Sequence, residues 1–473
     1  MLRFNSGFPV AGVSGRGENM STVAAVSTPA GTGGIAVIRI SGEDAIAVAD
    51  AMCERAARGR TLSELPGGRT ARVKIFDADG APLDDGVATV FRAPASYTGE
   101  DVVELSCHGG VYVTRMTLRS ALAHGAQPAG PGEFTKRAYL NGKLSLTQAE
   151  AVMSLISASG KSSARAALSL LEGSLSRELL EVRGALSDVA SHLSAWIDFP
   201  EEDVEEVEPN ALERALSAAR DKIGALVRDY DRGRLASDGI KTVICGRPNV
   251  GKSTLMNLLA GCERSIVADI PGTTRDIVED CVQLGGYTLR VSDTAGLRET
   301  GDVVESIGVD RAKKRVDEAD LVLAVFEGSE ELSGDDLRLL DMLRGKRYIA
   351  VVNKSDLGRR LSPAPFCGAK AAVYISAKTG EGFEELRGAM LSALELDGLD
   401  VSAPMLAGER QLGCARAALN ALDDALEALG SGMTLDALWV CVQSALAGLC
   451  ELDGVDADGM MIEGVFSRFC VGK

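Results

Sequence analysis

The residues best suited to chemistry sit in the middle of the chain, in the run GRPNVGKS. Gly246 and Gly251-Lys252-Ser253 have the spacing of a phosphate-binding loop, whose glycines let backbone N–H groups close around phosphate oxygens. An expected strand, Lys241–Cys245, leads into the loop, and an apolar helix marked by Leu255, Leu258 and Leu259 leads out of it. The helix N-terminus adds its positive dipole end. Lys252 then reaches the β- and γ-phosphates and acts in catalysis, while Ser253 offers its hydroxyl to Mg²⁺. Asn249, Val250 and Thr254 complete this part of the expected nucleotide contact.

Three further motifs follow in order. Ala268, Asp269, Ile270, Pro271, Gly272, Thr273 and Thr274, with Arg275-Asp276, form a switch-type loop whose Thr274 would complete the Mg²⁺ shell. Asp293, Thr294, Ala295 and Gly296 follow an expected strand, Leu289–Ser292; Asp293 supports the metal from behind its direct ligands and Gly296 senses the γ-phosphate. Asn353, Lys354, Ser355 and Asp356 follow the strand Ile349–Val352. Asp356 accepts the two donors on an edge of guanine that adenine does not present, and Ser376, Ala377 and Lys378 close the base pocket. A carboxylate left unpaired against adenine costs on the order of several kcal/mol, so the pattern implies GTP over ATP and a GTPase. Leu297 stands where Ras-type GTPases place a water-orienting Gln. Hydrolysis therefore needs another helper. Asn249 either caps the loop or serves as the asparagine that binds K⁺ in a subset of GTPases.

The elements that must position these groups are legible in the apolar spacing. Residues 20–135 mix strand-like runs (Ile35–Ile40, Val87–Phe91, Asp101–Leu105) with helical stretches near Asp44–Ala57 and Val111–His124, an α+β pattern. Thr147-x-x-Glu150 has the spacing of a capping box. Beyond it, Leu168, Leu171, Leu175, Leu179, Val182, Leu186, Val189, Leu193 and Trp196 step by three and four, which predicts one long packed helix ending near Phe199-Pro200. A second helical stretch runs to about Asp231, and strands alternating with helices from Lys241 to about Leu394 predict a parallel α/β sheet. Helical stripes then return at Leu412, Ala415, Leu419, Leu422, Leu426 and Leu429, and at Leu435, Leu438, Val442, Leu446 and Leu449. The expected organisation is an N-terminal extension over 1–19, an α+β domain over 20–140, and a discontinuous helical domain over 141–237 and 398–473. An α/β phosphate-loop GTPase domain over 238–397 is inserted into it.

Composition sets bounds on this reading. The chain has 473 residues, 46% apolar and 25% charged, the balance of a globular protein. Residues 1–140 carry 14 basic and 14 acidic side chains, so the whole net charge of −17 lies beyond them. That acidity argues against sequence-blind nucleic-acid binding, which depends on Lys and Arg. Part of it is the run Glu201–Glu208, read as a solvated loop. The ten cysteines form no Cys-x-x-Cys pair and there are only three histidines, so reduced cytosolic thiols are expected instead of a zinc site. No continuous apolar run reaches the roughly 18 residues of a membrane span. The first nineteen residues lack the apolar core of a secretory signal; they are an extension, an upstream start before Met20, or an organelle transit segment.

The segments VSTPAGTGGIAVIRISG, SYTGEDVVELSCHGG, GPGEFTKRAYLNGKLSLTQAEAV, WIDFPEE, GRPNVGKS, IPGTTRD, DTAGLRET and the tail FSRFCVGK resemble the MnmE (TrmE) family of tRNA-uridine-modification GTPases over residues 20–473. The resemblance implies a homodimer built through the N-terminal domains, with G domains that associate face to face when GTP and K⁺ are bound. It also implies a flavin-dependent partner, MnmG (GidA), which alone carries FAD, and tRNA as substrate, modified at C5 of the wobble uridine in the cytoplasm. A 5-formyltetrahydrofolate-type cofactor is implied at Arg39, Glu104, Lys143 and Lys473; its glutamate carboxylates suit Arg or Lys and its pterin edge suits a carboxylate. Cys470 matches the family's near-terminal thiol, and Glu305 is implied as the residue that orients water. The implied K⁺ ligands are Asn249, Ala268, Ile270 and Thr273, with Mg²⁺ on Ser253 and Thr274. Thr32, Gln411 and Gly464 depart from residues common at those positions. The alternative to the modification role is a regulatory, ribosome-assembly GTPase that modifies nothing.

Overall fold

Alternation along short strands builds the first layer. In the computed structural model, which describes residues 20–55, 61–198, 209–262, 280–293, 314–358, 360–455, 457 and 459–473, the N-terminal unit comprises β1 (Val23–Val26), β2 (Ile35–Ser41), α1 (Ala45–Met52), β3 (Cys53–Arg55), β4 (Arg69–Phe76), β5 (Pro82–Phe91), β6 (Val102–His108), α2 (Val111–Ala123) and β7 (Gln127–Pro128). The seven strands form one sheet in the order β3-β4-β5-β6-β2-β1-β7. Ala36, Ile38 and Ile40 point to the face covered by α1 and α2, where they are buried with Val103, Leu105, Ala49 and Ala121. With period two, Arg39 must point the other way, toward the face that holds Val23, Ala25 and Phe134. The helix expected over Asp44–Ala57 stops at Met52, because Cys53–Arg55 instead pairs antiparallel with β4.

Six helices follow: α3 (Glu133–Leu140), α4 (Leu146–Ser157), α5 (Lys161–Leu171), α6 (Ser174–Asp198), α7 (Pro209–Arg228) and α8 (Tyr230–Asp238). The leucine stripe read as one helix is split, since the chain turns at Gly173 (φ +82°) between α5 and α6, and Leu168 is left exposed. The second helical stretch extends past Asp231, to Asp238. The capping box lies two residues earlier than expected. Ser145 Oγ accepts from Gln148 N at 3.3 Å, and Gln148 Oε1 accepts from Ser145 N at 2.9 Å. This frees Glu150, whose carboxylate takes Arg410 Nε at 2.8 Å and Gln411 Nε2 at 2.7 Å.

The α/β unit consists of β8 (Ile240–Cys245), α9 (Lys252–Cys262), β9 (Asp280–Leu284), β10 (Tyr287–Asp293), β11 (Leu321–Glu327), α10 (Gly334–Met342), β12 (Tyr348–Asn353), β13 (Ala371–Tyr374) and α11 (Phe383–Ala393). Its sheet order is β13-β12-β11-β8-β10-β9. All neighbours are parallel except β9, which departs from the expected all-parallel sheet by pairing antiparallel with β10. The two-residue connection Gly285-Gly286 makes this possible, as both residues have positive φ (59° and 94°), the requirement of a tight hairpin turn.

The chain then re-enters the helical layer with α12 (Glu409–Gly430), α13 (Leu435–Asp453) and α14 (Gly459–Phe466). One apolar core joins Leu179, Leu186 and Leu193 of α6 and Leu216 and Ile223 of α7 to Ala415, Leu422, Val442 and Leu449 of α12 and α13. Helix α13, though interrupted by Asp436, Gln443 and Ser444, has the length and mean hydropathy of a membrane span. Its stripe Leu438, Val442, Ala445, Leu449 and Leu452 is nevertheless buried in this core, which accounts for the composition. Nine described cysteines are free thiols, and burial pushes Cys53 and Cys245 up to about 12.

Candidate functional site

Among the described residues, the phosphate loop, Asp293, the Asn353–Asp356 motif and the Ser376–Lys378 segment all lie at or just beyond the C-terminal ends of strands. Cys245 of β8 opens the phosphate loop, Asp293 ends β10, Glu327 ends β11, Asn353 ends β12 and Tyr374 ends β13 just before Ser376. Strand β8 lies between β11 and β10, so chain order reverses there and opens the crevice in which doubly wound sheets bind ligands.

The loop conformation follows from its sequence. Gly246 has φ +147°, and a Cβ there would collide with the Val325 carbonyl; Gly251 has φ +97°, and a Cβ would collide with Asn353 Nδ2. Asn249 lies exposed at φ 65°, a left-handed position that Asn tolerates best among residues with a side chain. Lys252 Nζ donates to the carbonyls of Gly246 and Arg247, both at 2.9 Å, so its ammonium lies across the mouth of the loop. Val250 is buried, and Ser253 and Thr254 are exposed on the first turn of α9.

Asn353 holds the two halves together. Buried to 2% exposure, it donates from Nδ2 to the Val250 carbonyl at 2.8 Å and accepts from Ala377 N at 2.9 Å. The phosphate loop and the Ser376-Ala377-Lys378 segment are therefore tied through one amide. Ser355 N donates to the Ile375 carbonyl at 3.0 Å, which brings the two base-loop segments together; Asp356 and Lys378 are exposed and Ser376 is buried. Lys354, at φ 63°, pairs with Glu327 at 2.9 Å. Of the other expected residues, Ala268, Asp269, Ile270, Pro271, Gly272, Thr273, Thr274, Thr294, Ala295, Gly296 and Glu305 lie outside the described residues; Asp293 is placed by register, opposite Ile244.

A second constellation sits on the free face of the N-terminal sheet. Arg39 and Glu104 face each other in the β2–β6 register, and both Nε and Nη2 of Arg39 donate to Glu104 Oε1, at 3.0 and 2.8 Å. The guanidinium also lies 5.4 Å from the ring centre of Tyr97 and 5.3 Å from that of Phe134, within cation–π range. The C-terminal tail reaches this face. Val471 bridges Pro131, Ser27 Oγ donates to the Gly472 carbonyl at 3.0 Å, and Phe134 N donates to the Lys473 carbonyl at 3.1 Å. Only glycine fits at 472, where φ is +96° and a Cβ would strike the Val26 carbonyl. Burial first, and then the Arg39 charge, hold the Lys473 ammonium below the usual lysine range. Cys470 is exposed next to the bridge, and Lys143 donates to the Pro94 carbonyl at 3.0 Å on the loop that carries Tyr97. Segments 445 residues apart, at Ser27 and Gly472, thus meet near Arg39.

The sequence reading passed over Tyr97, Phe134, Arg247 and Glu327. The first two lie inside the quoted SYTGED and GEFTK segments, and Arg247 occupies an unspecified position of the phosphate loop. Glu327 carries no local signal beyond its place at a strand end.

Residues 146–470 match the MnmE helical domain, and residues 22–143 match the GTP-binding protein TrmE N-terminus. The tRNA modification GTPase MnmE of Lactobacillus delbrueckii subsp. bulgaricus is 40% identical over 457 residues, 96% of this chain and 98% of that protein. The chain belongs to the MnmE family. Its Acetivibrio thermocellus relative, also a tRNA modification GTPase MnmE, is 38% identical over 96% of this chain and 99% of its own. Among solved structures, the G domain of the T. maritima FeoB iron transporter is 29% identical, matching 33% of this chain and 98% of its own at a TM-score of 0.25. As a member of the MnmE family, the protein is a GTPase in tRNA modification.

Replacing Asn353 with Ala leaves the Val250 carbonyl and the Ala377 N–H buried without a partner, at about 1–3 kcal/mol each. The expected result for Asn353→Ala is a GDP dissociation constant raised at least about tenfold, measured by titration with a fluorescent analogue.

Proposed function

We propose that this chain is a K⁺-stimulated GTPase that acts with a flavin-dependent protein of the MnmG (GidA) type. Together they attach an aminomethyl- or carboxymethylaminomethyl-type group to C5 of uridine 34 in certain tRNAs in the cytoplasm. The observation that carries this reading is the meeting of two sites in one chain. A phosphate loop and base loop are joined through Asn353, and a folate-suited cation and carboxylate cluster is completed by the chain's own tail.

In the nucleotide site, Lys252 and the backbone N–H groups from Asn249 to Ser253 would bind the phosphates, and Asp356, Ala377 and Lys378 would hold guanine. The exposed hydroxyl of Ser253, at the positive end of α9, suits Mg²⁺, with Thr274 as its second side-chain ligand. Bound there, the metal neutralises charge that develops on the phosphates. K⁺ would sit on Asn249 with oxygens of Ala268, Ile270 and Thr273, supplying the charge that an arginine finger gives elsewhere. Glu305 would orient the attacking water, the role that Leu297 cannot fill.

On the N-terminal face, Arg39 and Lys473 would take the carboxylates of a 5-formyltetrahydrofolate-type cofactor, Glu104 its pterin edge, and Lys143 a further anionic group. The donor set fits, since two cations and one carboxylate lie beside the half-buried ring of Tyr97. When bound, the cofactor would supply the one-carbon unit, and Cys470, exposed next to the Pro131–Val471 bridge, would be the functional thiol. The protein would work as a homodimer through its N-terminal units, with G domains that associate and separate through the GTPase cycle.

Three measurements test this reading. Nucleoside analysis of tRNA from a deletion strain should show loss of the modified uridine at position 34; unchanged wobble uridines would sink the modification role. GTP turnover should be faster in K⁺ than in Na⁺ and should fall in Asn249→Ala and Glu305→Ala, whereas equal rates in the two salts reject the cation assignment. Calorimetry with 5-formyltetrahydrofolate should give a binding signal that Arg39→Ala abolishes, and retained affinity in that variant rejects the contact.

A further inference from the structure

Arg247, in the phosphate loop, and Lys354, in the base loop, are far apart in sequence yet share one carboxylate. Glu327 Oε2 lies 2.9 Å from Lys354 Nζ and 3.6 Å from Arg247 Nη2. Its side chain is 13% exposed, so water screens these contacts weakly. Arg247 Nη2 also donates to Glu330 at 2.5 Å, its hydrogen-bonding partner, but that side chain is 57% exposed, and Glu330 belongs to the Arg247 side alone whereas Glu327 also takes Lys354. Asp336 lies 3.6 Å from Arg247 Nε, but its Oδ2 already serves the Ser333 cap, accepting from Ser333 N at 2.9 Å and from Ser333 Oγ at 2.7 Å. Glu327 is therefore the acid that both loops use.

Backbone geometry fixes it in place. Glu327 is the last residue of β11, in register with Asn353 of β12, and Gly328 N donates to the Asn353 carbonyl at 2.8 Å. The carboxylate thus projects from the same strand ends whose amide, Asn353, already joins Val250 to Ala377. The Lys354 contact is also the main reason that the Glu327 carboxyl is held below its ordinary range, so the group stays ionised at neutral pH.

We propose that Glu327 is a positioning residue for the GTPase reaction: it locks the phosphate loop and the guanine loop into one rigid unit, so that nucleotide affinity depends on a carboxylate that need not touch the nucleotide. Asn353 fixes the inner ends of the two loops through neutral hydrogen bonds, and Glu327 fixes their outer ends through charge. Lys354 precedes the candidate base acceptor by two residues, and Arg247 directly follows Gly246 of the phosphate loop. Without the carboxylate, Lys354 loses its counter-charge and Arg247 keeps only Glu330 and Asp336, so the outer ends of the loops are no longer tied to each other while Asn353 still joins their inner ends. The inference rests on the assignment of the guanine site to Asp356.

The test uses the full chain. Fluorescent-analogue GDP binding, steady-state GTP hydrolysis and thermal unfolding are measured for wild type, Glu327→Gln, Glu327→Asp, Lys354→Met, the double variant Glu327→Gln/Lys354→Met, and Asp356→Asn. Glu327→Gln should raise the GDP Kd and the GTP KM by about tenfold, the worth of a charge-assisted contact, with kcat changed less than about twofold. Glu327→Asp should recover part of that loss, and the double variant should be no weaker than the worse single one, because both remove the same contact. Kd and KM within about twofold of wild type in Glu327→Gln, losses that multiply in the double variant, or a fall in kcat and melting temperature without a rise in KM would each overturn the proposal. Asp356→Asn separates the two readings. If it keeps its GDP affinity, the guanine-site assignment fails, whereas its loss alongside an unaffected Glu327→Gln rejects only the role of Glu327.

Discussion

The architecture depends on one apolar core that the chain must visit twice. Leu179, Leu186 and Leu193 on α6 cannot bury their stripe against α7 alone, and the remaining cover comes from α12 and α13, beyond the α/β unit. Closing this core returns the chain to where it left, so the inserted sheet is held at both ends by helices that share a single packing. Polar cross-links reinforce the closure. Glu150 takes Arg410 and Gln411, and Asp453 accepts from Thr147 and Ser176, both at 3.0 Å. Each pairs a residue before the insert with one after it. Carboxylates withdrawn from water are costly unless satisfied, more so for buried Asp453 than for half-buried Glu150, so the two segments are held in one register.

Within the insert, a parallel sheet places five strand ends on one edge, and the nucleotide chemistry is gathered there because glycine and asparagine let the loops approach. Gly251 leaves room for Asn353 Nδ2, and Asn353 in turn pairs the Val250 carbonyl and the Ala377 N–H. The site is thus a consequence of packing as much as of motif. Any larger residue at 251 would displace the amide that links the two loops.

Much of this was legible in sequence because the signals are local. The Gly246–Ser253 spacing, the strand before it and the heptad-like stripes after Leu412 each depend on neighbours within one or two turns, and the structure has them. Two of the errors share a cause, a partner distant in sequence. Cys53–Arg55 has helical spacing but is drawn into a strand by β4, and Thr147-x-x-Glu150 has capping spacing but both side chains serve helices that return some 260 to 306 residues later. The apolar stripe runs through Gly173 without a break in period, although the chain turns there. Tyr97, Phe134 and Glu327 were missed for the same reason, because their roles arise only when β2, β11 and the loops around them are assembled.

The hairpin β9–β10 ties the inserted sheet to the helical layer. Its arms are the chain neighbours of the IPGTTRD and DTAG motifs, and its turn is seated against the helical layer. Ser162 N donates to the Gly286 carbonyl at 3.0 Å, Gln283 Nε2 donates to the Ser159 carbonyl at 2.7 Å, and Ser159 Oγ donates to Thr288 Oγ1 at 3.2 Å. Gly160 lies so close that a Cβ would come within 2.5 Å of Thr288 Oγ1. The hairpin cannot slide past the turn between α4 and α5 without breaking these bonds, and α5 packs on α6 and α8, the latter leading directly into β8. A displacement at either end of the hairpin must therefore be absorbed by the turn or passed to the helices. Because packed helices shift as units and are not deformed continuously, the second outcome costs less than leaving buried polar groups unpaired.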